Sequence, residues 1–226
     1  MGGVYEIRGE VLNNRLALKV IRPEFTNSKA IRARFQREAR IQSQLDHESI
    51  VKVFELIEHD QNLCIVMELV DAPTLRDRLE SGPLPPQEAR EVVMELAEAL
   101  LVAHEAGIVH RDLKPDNVFA WKDRRGRVRC KLTDFGIAKH AEVNTDVGPS
   151  LTRSGAFIGT MAYASPEQIT HEREVDLLSD LYSLGVVLWE MLAGVSPYDN
   201  HTSAWAIQTA VVQEDLPDLP LSLIHI

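Results

Sequence analysis

Residues 110–117 read His-Arg-Asp-Leu-Lys-Pro-Asp-Asn. Asp112 and Asn117 are five residues apart, in a loop between a helical stretch and a hairpin. That arrangement can aim one carboxylate at a nucleophilic hydroxyl and one amide oxygen at a metal ion. Seventeen residues beyond Asn117, at the end of a strand, comes Asp134-Phe135-Gly136. A carboxylate there can coordinate Mg2+, a hard cation that takes oxygen ligands and phosphate oxygens together. Two further charges stand out. Lys19 interrupts the apolar run Leu16–Ile21. The bland alternative is a surface strand lysine whose stem snorkels. Glu38 shares a helical face with Ile31, Phe35 and Leu45. A carboxylate in an apolar stripe needs a partner, because an unpaired buried charge is costly. Lys19 is the natural candidate.

The elements that must position these residues divide into two kinds. The first third reads as strands with one helix: strands over Leu16–Ile21, Val51–Glu58 and Leu63–Val70, and helical periodicity over 28–45. The rest is mostly helical. Pro85-Pro86 opens a helix that stops at Gly107, and Val118–Leu132 reads as a hairpin turning at Arg125-Gly126. Residues 137–164 have no sustained period, and a loop that long is functional or disordered. Ser179–Ala193 is an apolar helix expected to be buried nearly all round, and 203–214 forms one more short helix. A strand-rich part followed by a helical part implies α+β architecture in two lobes, meeting near Asp71-Ala72-Pro73.

Composition excludes several classes. The chain has 226 residues, 45% hydrophobic and 26% charged, the mix of an ordinary globular protein. A formal net charge of −10 argues against non-specific binding to nucleic acid or an anionic membrane, which needs a positive footprint. Cys64 and Cys130 are too few for a disulfide framework and read as buried free thiols in a reducing compartment. No apolar run is long enough to span a bilayer. The cluster Lys122, Arg124, Arg125, Arg127, Arg129 and Lys131 reads as a solvated strand face, and His104, His140 and His171 show no ligand-like companions.

The His110–Asn117 segment with Asp134-Phe135-Gly136 downstream resembles the eukaryotic-type protein kinases, over essentially the whole chain. The resemblance implies a bilobal kinase fold with a β-rich small lobe over 1–70 and a helical large lobe over 71–220, in a domain incomplete at both termini. Residues 221–226 read as a non-native tail. It implies Asp112 as catalytic base, Asn117 and Asp134 as Mg2+ ligands, and Lys114 as the γ-phosphate contact of serine/threonine kinases. Lys19 would hold the α- and β-phosphates of ATP and pair with Glu38. Ala17 lies beside it in the nucleotide pocket. Met67 would be the gatekeeper, with the backbone of Glu68 and Val70 bonding adenine. Of the glycine-rich phosphate loop only Gly2 and Val4 align, as the third glycine and the valine after it.

By the same resemblance, residues 134–167 form an activation segment ending Ser165-Pro166-Glu167, with Thr152 and Ser154 as phosphosites that Arg111 could meet. Asp180 resembles the buried aspartate that braces the catalytic loop. The expected function is ATP- and Mg2+-dependent phosphoryl transfer to Ser/Thr hydroxyls of a protein substrate, in the cytoplasm, with no nucleic-acid partner and no membrane contact from this segment. A pseudokinase or signalling scaffold is the competing reading.

Overall fold

The computed structural model describes residues 3–9, 13–21, 29–59, 62–135, 161–170 and 175–219, without the side chains of 29–31, 34 and 38. Four strands, β1 (Val4–Arg8), β2 (Arg15–Ile21), β3 (Val53–His59) and β4 (Asn62–Glu68), make one antiparallel sheet in the order β1-β2-β4-β3. Along β2, Ala17, Lys19 and Ile21 alternate inward and are buried. That is the period-two pattern of a half-buried strand, and it puts Lys19 on the buried side. The register sets Val4 directly opposite Lys19. The central strand β4 is buried on both faces from Leu63 to Met67, so its sequence is a continuous apolar run rather than an alternation.

Helix α1 (Lys29–Gln42) lays Phe35 and Ala39 against the sheet side, and Arg32 reaches Glu58 of β3 at 2.7 Å. The chain then crosses to the other lobe. Leu45 and Ile50 join the core of the helical part, although they come before β3 in sequence. The Val51 N–H donates to the Leu132 carbonyl and the Leu132 N–H to the Ser49 carbonyl, both at 2.9 Å. This short parallel bridge ties the two lobes together beside the site.

In the larger lobe, α2 (Leu75–Leu79) starts with a capping box in which Thr74 and Asp77 satisfy each other's backbone N–H groups. Helix α3 (Pro86–Glu105) has proline in its first turn and buries Ala89, Val92, Leu96, Ala99, Leu100 and Ala103 along one stripe. Each fully buried leucine there contributes about 1.5–3 kcal/mol. The helix stops where Gly107 takes a φ of 74°, a left-handed turn that only glycine adopts without strain. After the 110–117 loop, β5 (Val118–Lys122) and β6 (Val128–Leu132) form the expected hairpin. Then come α4 (Pro166–Thr170), α5 (Leu177–Ala193) and α6 (Ala204–Gln213).

Three expectations change. The short helices α2 and α4 were not expected from the sequence, because five residues are too few to show a period. Helix α5 is not buried all round: Leu177, Leu178 and Leu181 are exposed, while Ser179, Asp180, Ser183 and Glu190 are buried. Its polar groups face inward because each has a partner there. The basic hairpin is not a plainly solvated face either. Arg127 pairs with Asp123, Arg129 with Glu48 and Glu95, Lys131 with Glu68, and Lys122 with Glu88. These pairs tie the hairpin to α3 and to the end of β4.

Candidate active site

The tight turn Pro115–Asn117, one turn of 3-10 helix between α3 and β5, fixes the spacing of the 110–117 loop. Asn117 is buried, and its Nδ2 donates to the carbonyl of Asp112 (2.8 Å) and to its Oδ2 (3.1 Å). With its amide nitrogen engaged there, the side-chain oxygen faces away from Asp112. The Lys114 ammonium stands 3.3 Å from the same Asp112 Oδ2. Asp112 is 5% exposed, so the Lys114 charge and the Asn117 amide dipole act on it with little water between. The Thr133 N–H donates to the Asn117 carbonyl (2.9 Å), which sets Asp134 beside this loop.

Asp134 carries a φ of 59° and Arg111 a φ of 63°, positions that L residues adopt at a cost of order 1–3 kcal/mol. The surrounding contacts hold both. Asp134 Oδ1 receives the Lys19 ammonium at 2.5 Å, so a residue of the sheet and one of the large lobe meet across the cleft. Buried Asp180 accepts the N–H groups of His110 (2.7 Å) and Arg111 (2.8 Å), which pins the loop's strained turn. Gln168 of α4 donates to the Arg111 carbonyl (2.9 Å) and accepts from the Ser165 N–H (3.0 Å).

His110 is wholly buried, and its ring packs against Phe135 with centroids 4.6 Å apart and the planes tilted by 52°. Its Nδ1 accepts the Asp112 N–H (3.2 Å), so Nε2 carries the proton and donates to the Thr133 carbonyl (2.9 Å). Burial holds its pKa below the ordinary 6.5, against the pull of Asp180 and the Thr133 carbonyl, and the ring stays neutral.

Lys19, Asp112, Lys114, Asn117 and Asp134 are therefore brought together. Ala17 and Met67 are buried in the small-lobe core next to them. The Glu68 N–H donates to the Lys52 carbonyl (2.9 Å), and the Glu68 carboxylate is held by Lys131 (2.8 Å). Val70 packs against the same core, and Val4 is half exposed above Lys19. Gly2, the Glu38 side chain, Thr152, Ser154, His140 and His171 lie outside the described residues.

Sequence reasoning missed four groups. His104 of α3 has a structural rather than a metal-binding role: its Nε2 lies 2.8 Å from Asp180 Oδ2. Gln168, Thr133 and Arg76 also hold the site, and no local sequence signal marks them. The donor set fits Mg2+ with a nucleotide: a carboxylate oxygen and an amide oxygen suit a hard cation, and Lys19 supplies a charge for phosphate.

A family model for the protein kinase domain matches residues 1–220. The chain is 40% identical over 199 residues to the serine/threonine-protein kinase pkn2 of Myxococcus xanthus, covering 88% of this chain and 24% of that one. It is 39% identical to the probable serine/threonine-protein kinase PknB of Lactococcus lactis, covering 97% of this chain and 34% of that one. It is 37% identical to PrkC of Bacillus subtilis, covering 96% and 32%. The chain thus spans a quarter to a third of the length of these relatives. Among solved structures, the PknI kinase domain of Mycobacterium tuberculosis superposes with a TM-score of 0.73 at 28% identity, over 97% of this chain and 75% of that one. With the loop, the sheet lysine and the bracing aspartate in these positions, the chain belongs to the protein kinase family, among its bacterial serine/threonine-kinase members.

Proposed function

We propose that this chain carries the catalytic domain of a serine/threonine protein kinase, with lobes over 1–70 and 71–220. The observation that supports it most is the meeting of Lys19 with Asp134 at 2.5 Å, beside the Asp112–Asn117 loop. ATP supplies the phosphoryl group, and Mg2+ neutralises charge on its phosphates. Asp112 orients the acceptor hydroxyl and takes its proton. Lys114, held at that carboxylate, shields the charge that develops between them. Asn117 and Asp134 offer the metal's oxygen ligands. Lys19 holds the α- and β-phosphates, with Glu38 as its partner in the active arrangement. Ala17, Met67, the Glu68 carbonyl and Val70 accommodate adenine beneath Gly2 and Val4. His110, neutral and wedged between Asp112 and Thr133, keeps the loop from shifting.

The acceptors are protein Ser/Thr side chains, including this chain's own Thr152 or Ser154. Free, buried Cys64 and Cys130 fit a reducing, cytoplasmic setting. No helix among the described residues is long and apolar enough to cross a membrane. The full set Lys19, Asp112, Asn117 and Asp134 disfavours a scaffold without turnover. Incubation with Mg-ATP and a Ser/Thr peptide pool tests the reading. The wild type should transfer phosphate, and Asp112→Asn should lower the rate by about 10²–10⁴-fold. Equal rates for the two would refute it.

A further inference from the structure

Arg111 and Asp112 share a peptide unit that is held on both edges. Its N–H, that of Asp112, donates to His110 Nδ1 at 3.2 Å. Its carbonyl, that of Arg111, accepts from Gln168 Nε2 at 2.9 Å. A peptide unit is planar, so turning it changes the φ of Asp112 and swings the carboxylate. Arg111 itself has a φ of 63°, and such backbone persists where its surroundings over-determine it. Asp180 of α5 takes the Arg111 N–H at 2.8 Å and so secures the preceding peptide. Gln168 secures the one that carries Asp112.

Gln168 is fixed in turn. Its Oε1 accepts the Ser165 N–H at 3.0 Å and lies 3.4 Å from the Ser165 hydroxyl. Ser165 is fully buried. The segment carrying both residues is tied to α5. The Ser183 hydroxyl donates to the Tyr163 carbonyl at 2.7 Å, and the Ser179 hydroxyl donates to the Glu167 carboxylate. Helix α5 therefore holds the Arg111–Asp112 turn by two routes, directly through Asp180 and through α4 by way of Gln168. A side-chain amide suits the second route because it accepts at one end and donates at the other.

We propose that Gln168 is a positioning residue for phosphoryl transfer. It fixes the plane of the Arg111–Asp112 peptide and so aims the Asp112 carboxylate. It also makes that aim conditional on the Ser165 turn being seated on α5. Gln168 acts through the backbone, not on the reacting atoms. The proposal rests on the kinase reading for the reaction, and on the Ser165–Gln168–Arg111 hydrogen bonds for the mechanism.

Two measurements test this. The first uses Gln168→Glu, which keeps the shape of the side chain. Ionised, the carboxylate accepts from Ser165 but has no proton for the Arg111 carbonyl; protonated, its O–H restores that donor. A half-buried carboxyl that must donate to a carbonyl holds its proton above the usual value of about 4.3. The charged groups on the elements it joins are Glu167 on α4, Arg111, Asp112 and Lys114 on the loop, and Asp180 on α5; α6, which packs on α4, carries none. All are shared with wild type, so the ratio of variant to wild type at each pH isolates position 168. At about pH 8 the kcat of Gln168→Glu for a Ser/Thr peptide with Mg-ATP should be about tenfold below wild type, the effect of losing one hydrogen bond, with KM for ATP unchanged. The ratio should climb toward one by about pH 5.5. Gln168→Ala should show a deficit that stays flat with pH. Full kcat for Gln168→Glu at about pH 8, a loss confined to KM, a flat ratio, or a rise shared by Gln168→Ala overturns the proposal and leaves the kinase reading intact. Failure of wild type to transfer at all overturns the kinase reading instead. The second measurement then decides on its own. Amide hydrogen exchange read by mass spectrometry should be about tenfold faster over 110–117 in Gln168→Glu than in wild type at about pH 8. The two should converge at about pH 5.5, with α3 alike throughout. A variant that folds only at the lower pH supports the proposal equally. Exchange raised as much in α3 as in the loop, a loop that matches wild type at both pH values or differs equally at both, or a variant unfolded at both, overturns it.

Discussion

At the residue scale, the site is a set of charges whose environments hold them in unlike states. Lys19 is 8% exposed and anchored on Asp134, so its ammonium is held in the cleft where the proposed reading puts the phosphates. Lys19→Met should lower kcat/KM for peptide phosphorylation by about 10²–10³-fold, the cost of removing one preorganised electrostatic contact. His110 illustrates the opposite case. Its folded pKa is lowered by burial, so below the ordinary value of 6.5 the unfolded chain takes up a proton that the folded chain refuses. Its contribution is undiminished above pH 6.5 and is lost as the pH falls, with a slope of up to about 1.4 kcal/mol per pH unit. Urea midpoints measured from pH 7.5 down to pH 5 should fall for wild type, and the fall should be shallower for His110→Phe.

At the scale of elements, α5 supports the catalytic loop. Its inward carboxylate, Asp180, takes the two loop N–H groups and the His104 ring nitrogen, and so determines the conformation that aims Asp112. Asp180→Ala would leave these donors buried without an acceptor. It should cost about 3–5 kcal/mol by chemical denaturation, the range for breaking a buried ionic contact. Asp180→Asn, which keeps one acceptor, should cost less. In both variants the loss of transfer should exceed what the unfolded fraction explains. The hairpin β5–β6 plays a second supporting role through Arg129, which joins Glu48 and Glu95, and Lys131, which joins Glu68. These pairs are partly exposed, so each contributes little to stability. Their effect is on where β4 ends relative to the loop.

At the scale of the whole molecule, two cores meet along one line of contacts. The small-lobe core contains Phe35, Val51 and Met67, and the large-lobe core reaches back to take Leu45 and Ile50. The Ile50–Leu132 bridge and the Ser49 hydroxyl, which donates to Glu95 at 2.6 Å, close the seam. Cys64 lies in the sheet and Cys130 in the hairpin, one thiol in each part. Burial raises the Cys64 pKa, and it pushes the Cys130 pKa up to about 12. Neither thiol should react with iodoacetamide in the native protein at neutral pH, and both should label together when the fold is lost. Early labelling of Cys64 alone, read by mass spectrometry along a urea series, would mean that the small lobe opens first.

The sequence by itself determined the elements with a strong period or punctuation. Lys19 belonged to a strand because of its apolar neighbours. The helix after Pro85-Pro86 was bounded by proline and glycine, and the hairpin by Arg125-Gly126. It also offered Asp112, Asn117 and Asp134 as candidates for the chemistry, through the resemblance that their motifs bear to the protein kinases. It could not say that α5 turns Asp180 and Glu190 inward and leucines outward. Composition carries hydrophobicity, whereas burial of a charge depends on a partner from elsewhere. Those partners are His104, the His110 and Arg111 amides, Arg76 and Tyr163. Some lie as far as 114 residues away. No local pattern encodes such a pairing; packing of α2, α3 and α5 around the loop decides it.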